Sequence, residues 1–303
     1  IADYRFSTDR SLLLIYTNSK RVWRRATRGD YWVLDRSSRE LKKLGGDAKP
    51  STLMFAKLSP AGRHAAYVRQ RNIYVEDLRD GRITALTRSD SPDVINGTFD
   101  WVYEEELGLR DGFRWSPDGK SIAYWQLNTK GVREFTLVDN TAGLYPAVKT
   151  FKYPKVGQRN SACRVGVVGV RGGKTRWLAV PGNRRNHYIA RMDWAAGSEE
   201  ILLQQLNRLQ NTNRVWIGKL DNMELENIVT ETDESFLDVH DDLVWLEGNK
   251  FFTWTSERDG WRHLYKISRD GKETTQVTRG AFDVVSLACI QAKSGYVYYI
   301  ASP

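Results

Sequence analysis

Three carboxylates in a row, Glu104, Glu105 and Glu106, sit inside the stretch Asn96–Leu107, which also carries Phe99, Trp101 and Tyr103. Adjacent carboxylates repel, so one of them is expected to hold a raised pKa until a cation arrives. Asp100 is a fair N-cap, and the three glutamates then fall in the first turns of a short helix, where the helix dipole favours negative charge. Glu106 and Arg110 are spaced to pair at i,i+4 on its surface. Taken alone, such a triplet is a solvated helix face, and only its surroundings give it a further meaning.

Other chemistries find little support. No G-x-S-x-G nucleophile elbow occurs, and the four histidines, His64, His187, His240 and His263, are scattered without a nucleophile partner. His240-Asp241-Asp242 lacks a second cluster to complete a metal site, so neither metal nor cofactor is expected. Cys163 and Cys289 read as small hydrophobes and decide no compartment. The net charge of +9 invites a nucleic-acid reading, but the basic residues are dispersed and no recognition motif accompanies them. A solvated basic face is the better account, and nucleic acid is not an expected partner.

The elements that must position the triplet are strands. Hydrophobic content of 41% with 27% charged residues fits a globular chain. Its eleven Trp, fourteen Tyr and ten Phe favour sheet. No apolar run is long enough to span a membrane as a helix. A hairpin closed by Ser-Pro-x-Gly, a third strand, and an Asp-Gly turn into a fourth strand recur, most clearly from Leu58-Ser59-Pro60-Ala61-Gly62 and from Trp115-Ser116-Pro117-Asp118-Gly119. Copies begin near residues 6, 58, 115, 192 and 243, and a partial one starts at Val284. In the copy from Trp115, Ser121 to Trp125 and Glu134 to Asp139 are read as its second and third strands.

Repetition on this scale predicts an all-β fold: a β-propeller of four-stranded antiparallel blades, about five complete plus part of another. A blade buries its faces only against neighbours, so flanking blades are expected outside the sequence, in a ring of about eight. The chain opens at Ile1 without the pattern of a signal peptide, which also suggests a piece of something longer. Residues 1–303 are thus expected to be one partial propeller domain with a short helical insertion near 98–110.

Several separated stretches resemble the N-terminal β-propeller of the dipeptidyl peptidase IV family of serine peptidases. The most specific is Asp100-Trp101-Val102-Tyr103-Glu104-Glu105-Glu106 followed by Trp115-Ser116-Pro117-Asp118-Gly119. Val22-Trp23-Arg24-Arg25 ahead of Tyr31-Trp32-Val33-Leu34-Asp35 is similar to the family's arginine segment, although the family commonly has His and Ser where this chain has Arg25 and Ala26. Tyr153–Gly157, Ser256–Tyr265 and Thr278–Val284 add support in the same order.

The resemblance implies a parent that releases N-terminal dipeptides, usually after a penultimate proline or alanine. Its Ser-Asp-His triad would sit in a C-terminal α/β-hydrolase domain that is absent here, so no catalytic residue is expected in this chain. It implies that Glu105 and Glu106 bind the terminal ammonium of a peptide substrate and that Arg24 contacts its backbone carbonyl. An ammonium has three donors, which two fixed carboxylates can satisfy. Fixing it also positions the peptide bond for attack. Trp101 and Tyr103 are expected to pack the helix rather than touch ligand, and Asp241, Asp242, Asp259 and Trp261 to be turn and strand-end structure. Relatives commonly form homodimers through hydrolase surfaces and an extended propeller arm, and the family favours a periplasmic or extracellular setting. The alternative is a non-catalytic, protein-binding propeller from a relative without a working nucleophile.

Overall fold

A serine at the first hairpin corner of three sheets sets a repeating pattern. In the computed structural model, which describes residues 1–302, Ser7, Ser59 and Ser116 each accept a backbone N–H from the residue five positions on, at 2.9, 3.1 and 2.9 Å. Where an aspartate follows two residues later, the hydroxyl donates to it, as Ser7 does to Asp9 and Ser116 to Asp118, both at 2.6 Å. The small polar side chain closes the corner from inside, leaving the flanking strands in register. Two compact units result, Ile1–Asn186 and the residues from His187 onward.

In the first unit, Asp3–Phe6, Leu12–Arg21, Ala26–Asp35 and Leu41–Lys43 pair in sequence order as one antiparallel sheet. Met54–Leu58, His64–Arg69, Asn72–Asp77 and Ile83–Ala85 form the next. Alternation along a single strand shows how these sheets stack. Ala65 and Tyr67 bury against Leu14, Tyr31 and Val33 of the first sheet. Ala66 and Val68 bury on the other side against Phe113, Ile122 and Tyr124 of the third. Side chains of period two supply both faces, and each face needs a neighbouring sheet.

The third sheet differs. Its central strand Ser121–Asn128 pairs on one side with Ala162–Gly169, which is followed at the edge by Arg176–Trp177. On its other side it pairs with two short strands, Val94–Asn96 and Phe113–Trp115. The sheet's first strand is therefore broken, and residues 97–112 loop out between its halves. Gly97 N–H donates to the Trp125 carbonyl, Gly112 N–H to the Gly97 carbonyl, and Trp125 N–H to the Gly112 carbonyl, at 3.0, 3.0 and 3.1 Å. Glycine is required at this pinch. A Cβ on Gly112 would lie 2.6 Å from the Gly97 carbonyl carbon, and Gly97 has φ +70° with Ile73 directly beneath it.

Glu134–Asp139 corrects the sequence reading. It is not the third strand of this sheet but pairs with Ala147–Lys152 as a separate two-stranded arm. Ala162–Gly169 takes the place expected for it. Leu144 and Tyr145 near the arm's tip are 93% and 82% exposed, so its alternating pattern reflects a solvated hairpin rather than a packed sheet.

In the second unit, His187–Trp194, Glu200–Asn207, Thr212–Lys219 and Leu225–Thr232 form one four-stranded sheet. Trp245–Leu246, Phe251–Ser256, His263–Ser268 and Thr274–Gln276 form another, and Leu202, Val215, Ile217, Phe252, Trp254 and Ile267 join their cores. Asp283–Gln291 with Tyr296–Ser302 makes a final hairpin. Among the described residues this gives five sheets of four or more strands plus half of another, as the repeats predict.

Candidate functional site

The loop between Gly97 and Gly112 carries the helix Trp101–Glu105. Asp100 caps it, accepting the Tyr103 N–H at 3.1 Å and the Ser161 hydroxyl at 2.5 Å. Burial raises the Asp100 pKa against those hydrogen bonds. Tyr103 is buried and stacks on Phe99 at 5.4 Å, and Phe99 meets Trp125 edge-on. Trp101 packs on Tyr153 at 4.1 Å. Aromatic area and one cap thus fix a five-residue helix too short to be stable by itself.

The three glutamates face three different environments. Glu104 is largely buried and its Oε1 lies 3.0 Å from Arg110 Nε. Burial raises its pKa, Arg110 opposes that shift, and the Glu105 charge adds to it. Arg110 therefore pairs with Glu104 and not with Glu106, because the helix ends at Glu105 and the i,i+4 geometry does not extend past it. Glu105 is 13% exposed, and its Oε2 lies 2.6 Å from Nε of Arg24, whose side chain is 78% exposed. Glu106 is the C-cap residue, donates its N–H to the Val102 carbonyl at 2.9 Å, and leaves its carboxylate exposed.

Arg24 reaches Glu105 from the loop between Leu12–Arg21 and Ala26–Asp35. Val22 N–H donates to the Arg25 carbonyl at 3.1 Å, and Arg21 Nε to the Trp23 carbonyl at 2.9 Å. The Trp23 ring meets Phe151 of the arm at 4.7 Å and lies under Lys149 Nζ at 4.2 Å. A cavity of about 780 Å³ lies beside the helix, with Trp23, Phe99, Trp101, Glu104, Arg110 and Phe151 in its wall. Arg24 and Glu105, far apart in sequence, are so brought into contact, and the residue that follows, Glu106, is exposed. Such a group can accept a compact cation with several donors.

A family model described as the dipeptidyl peptidase IV (DPP IV) N-terminal region matches residues 7–303. The chain belongs to this family. The dipeptidyl peptidase 4 of Trichophyton rubrum is 26% identical over 313 residues, which cover 99% of this chain and 40% of the fungal protein. That of Sus scrofa is 28% identical over 323 residues, covering 99% of this chain and 41% of the porcine one. The crystal structure of Porphyromonas gingivalis dipeptidyl peptidase 4 matches with a TM-score of 0.90 at 27% identity, over 98% of this chain and 42% of that one. The chain thus spans about 40% of the length of the relatives it matches. Its four-stranded sheets are blades of the dipeptidyl peptidase IV propeller type.

Away from the helix, Asp241 pairs with Arg191, and Asp242 Oδ2 lies 3.1 Å from Arg262 Nη2 while its Oδ1 accepts the Leu287 N–H. Asp259 accepts from Gln276, and Trp261 is half exposed. His240 is buried, and its Nδ1 accepts from Arg262 Nη2 at 3.2 Å. Among the described residues no His, Cys, Asp and Glu group has the geometry of a metal site, and no helix is long and apolar enough to cross a membrane. Sequence reasoning passes over one cluster, Lys57 with Asp111 and Arg114, because Lys57 comes from one sheet, Arg114 from another and Asp111 from the loop before it, and they share no motif.

Proposed function

We propose that this chain is the substrate-recognition and gating propeller of a dipeptidyl peptidase IV-like serine exopeptidase. Glu105 and Glu106 receive the ammonium of a peptide with a free N-terminus, and Arg24 turns to the backbone carbonyl. A hydrolase domain elsewhere in the protein cuts after a penultimate proline or alanine. The observation that carries this reading is the 2.6 Å contact between Arg24 and Glu105 beside an exposed Glu106. A guanidinium rests where an ammonium would bind, on a side chain exposed enough to swing aside. The two acids then supply acceptors for three N–H donors, and the broken first strand holds them at a fixed place. The arm, with Leu144 and Tyr145 exposed, supports a homodimeric parent.

The test is Glu105→Gln and Glu106→Gln in the intact protein. Each substitution removes a charged acceptor worth about 1.5–3 kcal/mol, so kcat/KM for free-amine dipeptidyl substrates should fall by roughly 10- to 100-fold. Turnover of a simple chromogenic ester, which has no ammonium to place, should change by less than about threefold. Equal loss on both substrates would show that the glutamates act through folding rather than through the ammonium.

A further inference from the structure

Positive charge gathers around a second cavity of the first unit, of about 620 Å³. Its wall holds five cations, Arg5, Arg25, Lys57, Arg110 and Arg114, against two acids, Asp3 and Asp111. Lys57 Nζ donates to Asp111 Oδ1 and to the Phe113 carbonyl, both at 2.5 Å, and lies 3.8 Å from the centre of the Phe113 ring. Arg114 Nη1 stands 3.6 Å from the same Asp111 oxygen. Asp111 therefore faces both Lys57 and Arg114, Arg114 also donates to the Asp111 and Phe113 carbonyls, and Arg110 pairs with Glu104. Arg5 lies 4.0 Å from an Asp3 that is itself exposed. Desolvation lowers the Lys57 pKa to about 8, Asp111 opposes the shift, and Arg114 and Arg5 deepen it. The cavity is short of negative charge.

It also adjoins the proposed ammonium site. Arg25 follows Arg24, and the wall resumes at Gly108, just past Glu106. Tyr4, Tyr16 and Tyr31 add aromatic surface. A half-enclosed space of this size accommodates a few extended residues, at roughly 3.3–3.6 Å each, rather than a nucleic-acid strand.

We propose that this cavity binds the carboxylate of a peptide, from an acidic side chain or the C-terminus, a short way along the chain from the amino end. The peptide identity rests on the function proposed above. The consequence is a preference for acidic peptides that the glutamate pair alone would not confer.

The test separates the two readings by using N-acetylated heptapeptides, which have no ammonium to offer Glu105 and Glu106. Titration calorimetry on the intact protein compares a peptide with two Glu residues against its Gln analogue, each as free acid and as C-terminal amide. The fully charged peptide should bind at least about tenfold more tightly than the fully neutral one, and the difference should shrink in about 0.5 M salt. A Glu amide that keeps the affinity assigns the side chains as the source, whereas a Gln free acid that keeps it assigns the C-terminus. Arg25→Gln and Arg114→Gln should each reduce the preference at least about threefold. Arg114 also packs on Trp125, so the exposed Arg25 keeps the test decisive if the other variant does not fold. Equal affinity for charged and neutral peptides, or a preference untouched by Arg25→Gln, overturns the proposal. A preference that persists while Glu105→Gln leaves dipeptide release intact would instead refute only the ammonium assignment.

Discussion

Glu104, Glu105 and Glu106 are chemically identical, and what separates them is how each meets solvent and cation. Glu104 is locked to Arg110, with both side chains largely buried. Glu105 is shielded but its partner is not, since most of the Arg24 side chain is in water. An ion pair with one exposed partner is worth only about 0–1 kcal/mol, so Arg24 can leave Glu105 at little cost when a stronger cation arrives. Arg24→Gln should therefore lower stability by less than about 1 kcal/mol while raising KM for dipeptidyl substrates roughly tenfold, with kcat less affected. Steady-state kinetics beside thermal unfolding would decide it, and a stability loss that accounts for the KM change would refute it. Glu104→Gln should behave oppositely: it leaves a largely buried Arg110 without its carboxylate, costing about 1–3 kcal/mol and reducing activity only through folding. The triplet itself is legible in the sequence, but its division of labour is not. The expected Glu106–Arg110 spacing assumes a helix that continues, and this one stops at Glu105.

At the scale of elements, the site exists because a strand is interrupted. Val94–Asn96 and Phe113–Trp115 lie along the same neighbour, and everything between them is held by the bonds joining Gly97, Gly112 and Trp125. Gly112→Ala would place a methyl 2.6 Å from backbone atoms that cannot turn aside. We expect it to cost more than about 2 kcal/mol, or to open the pinch and displace the helix, so that dipeptide release falls even in molecules that remain folded. Asp100→Ala removes only the cap and the Ser161 bond, and about 1–2 kcal/mol is the corresponding expectation. Urea unfolding and specific activity, measured together, would rank the two, and a Gly112→Ala protein as stable and active as the parent would contradict the pinch. The same contrast explains what the sequence reveals. Serine corners such as Ser59 and Ser116 are local, because their partners lie within five residues, and with Ser7 they mark three of the blades in the sequence. The pairing of Ser121–Asn128 with Ala162–Gly169 is not local. The arm strand Glu134–Asp139 alternates as a blade strand would, and only burial distinguishes them.

Over the whole molecule, 46 basic residues against 37 acidic ones leave an excess that is spread across the blades, yet a few charged groups are deeply placed and make stability depend on pH. His240 in the second unit is the clearest. It is 6% exposed, edge-on to Trp254, and its Nδ1 accepts from Arg262, so the neutral ring carries its proton on Nε2. Burial, then the Arg262 charge, lowers its pKa to about 4, while Asp242, Glu231 and Asp238 oppose the shift. Asp238 and Asp242 are its sequence neighbours, but Arg262 and Glu231 lie far from it in the chain, so the segment His240-Asp241-Asp242 does not reveal the burial and the guanidinium that set the shift. The sign follows from proton counting. Between the ordinary value of about 6.5 and the folded value, the unfolded chain binds a proton that the folded one does not. Stability therefore falls as pH drops through that window and levels off below it, by at most about 3 kcal/mol from this group. His240→Asn keeps an acceptor for Arg262 but cannot titrate. The gap between wild-type and variant unfolding free energies should consequently move in the variant's favour from pH 7 to pH 4, whereas carboxylates titrating over the same range cancel in the difference. Parallel curves for the two proteins would mean that the ring is protonated without penalty, and that the buried network around Arg262 is looser than its distances imply.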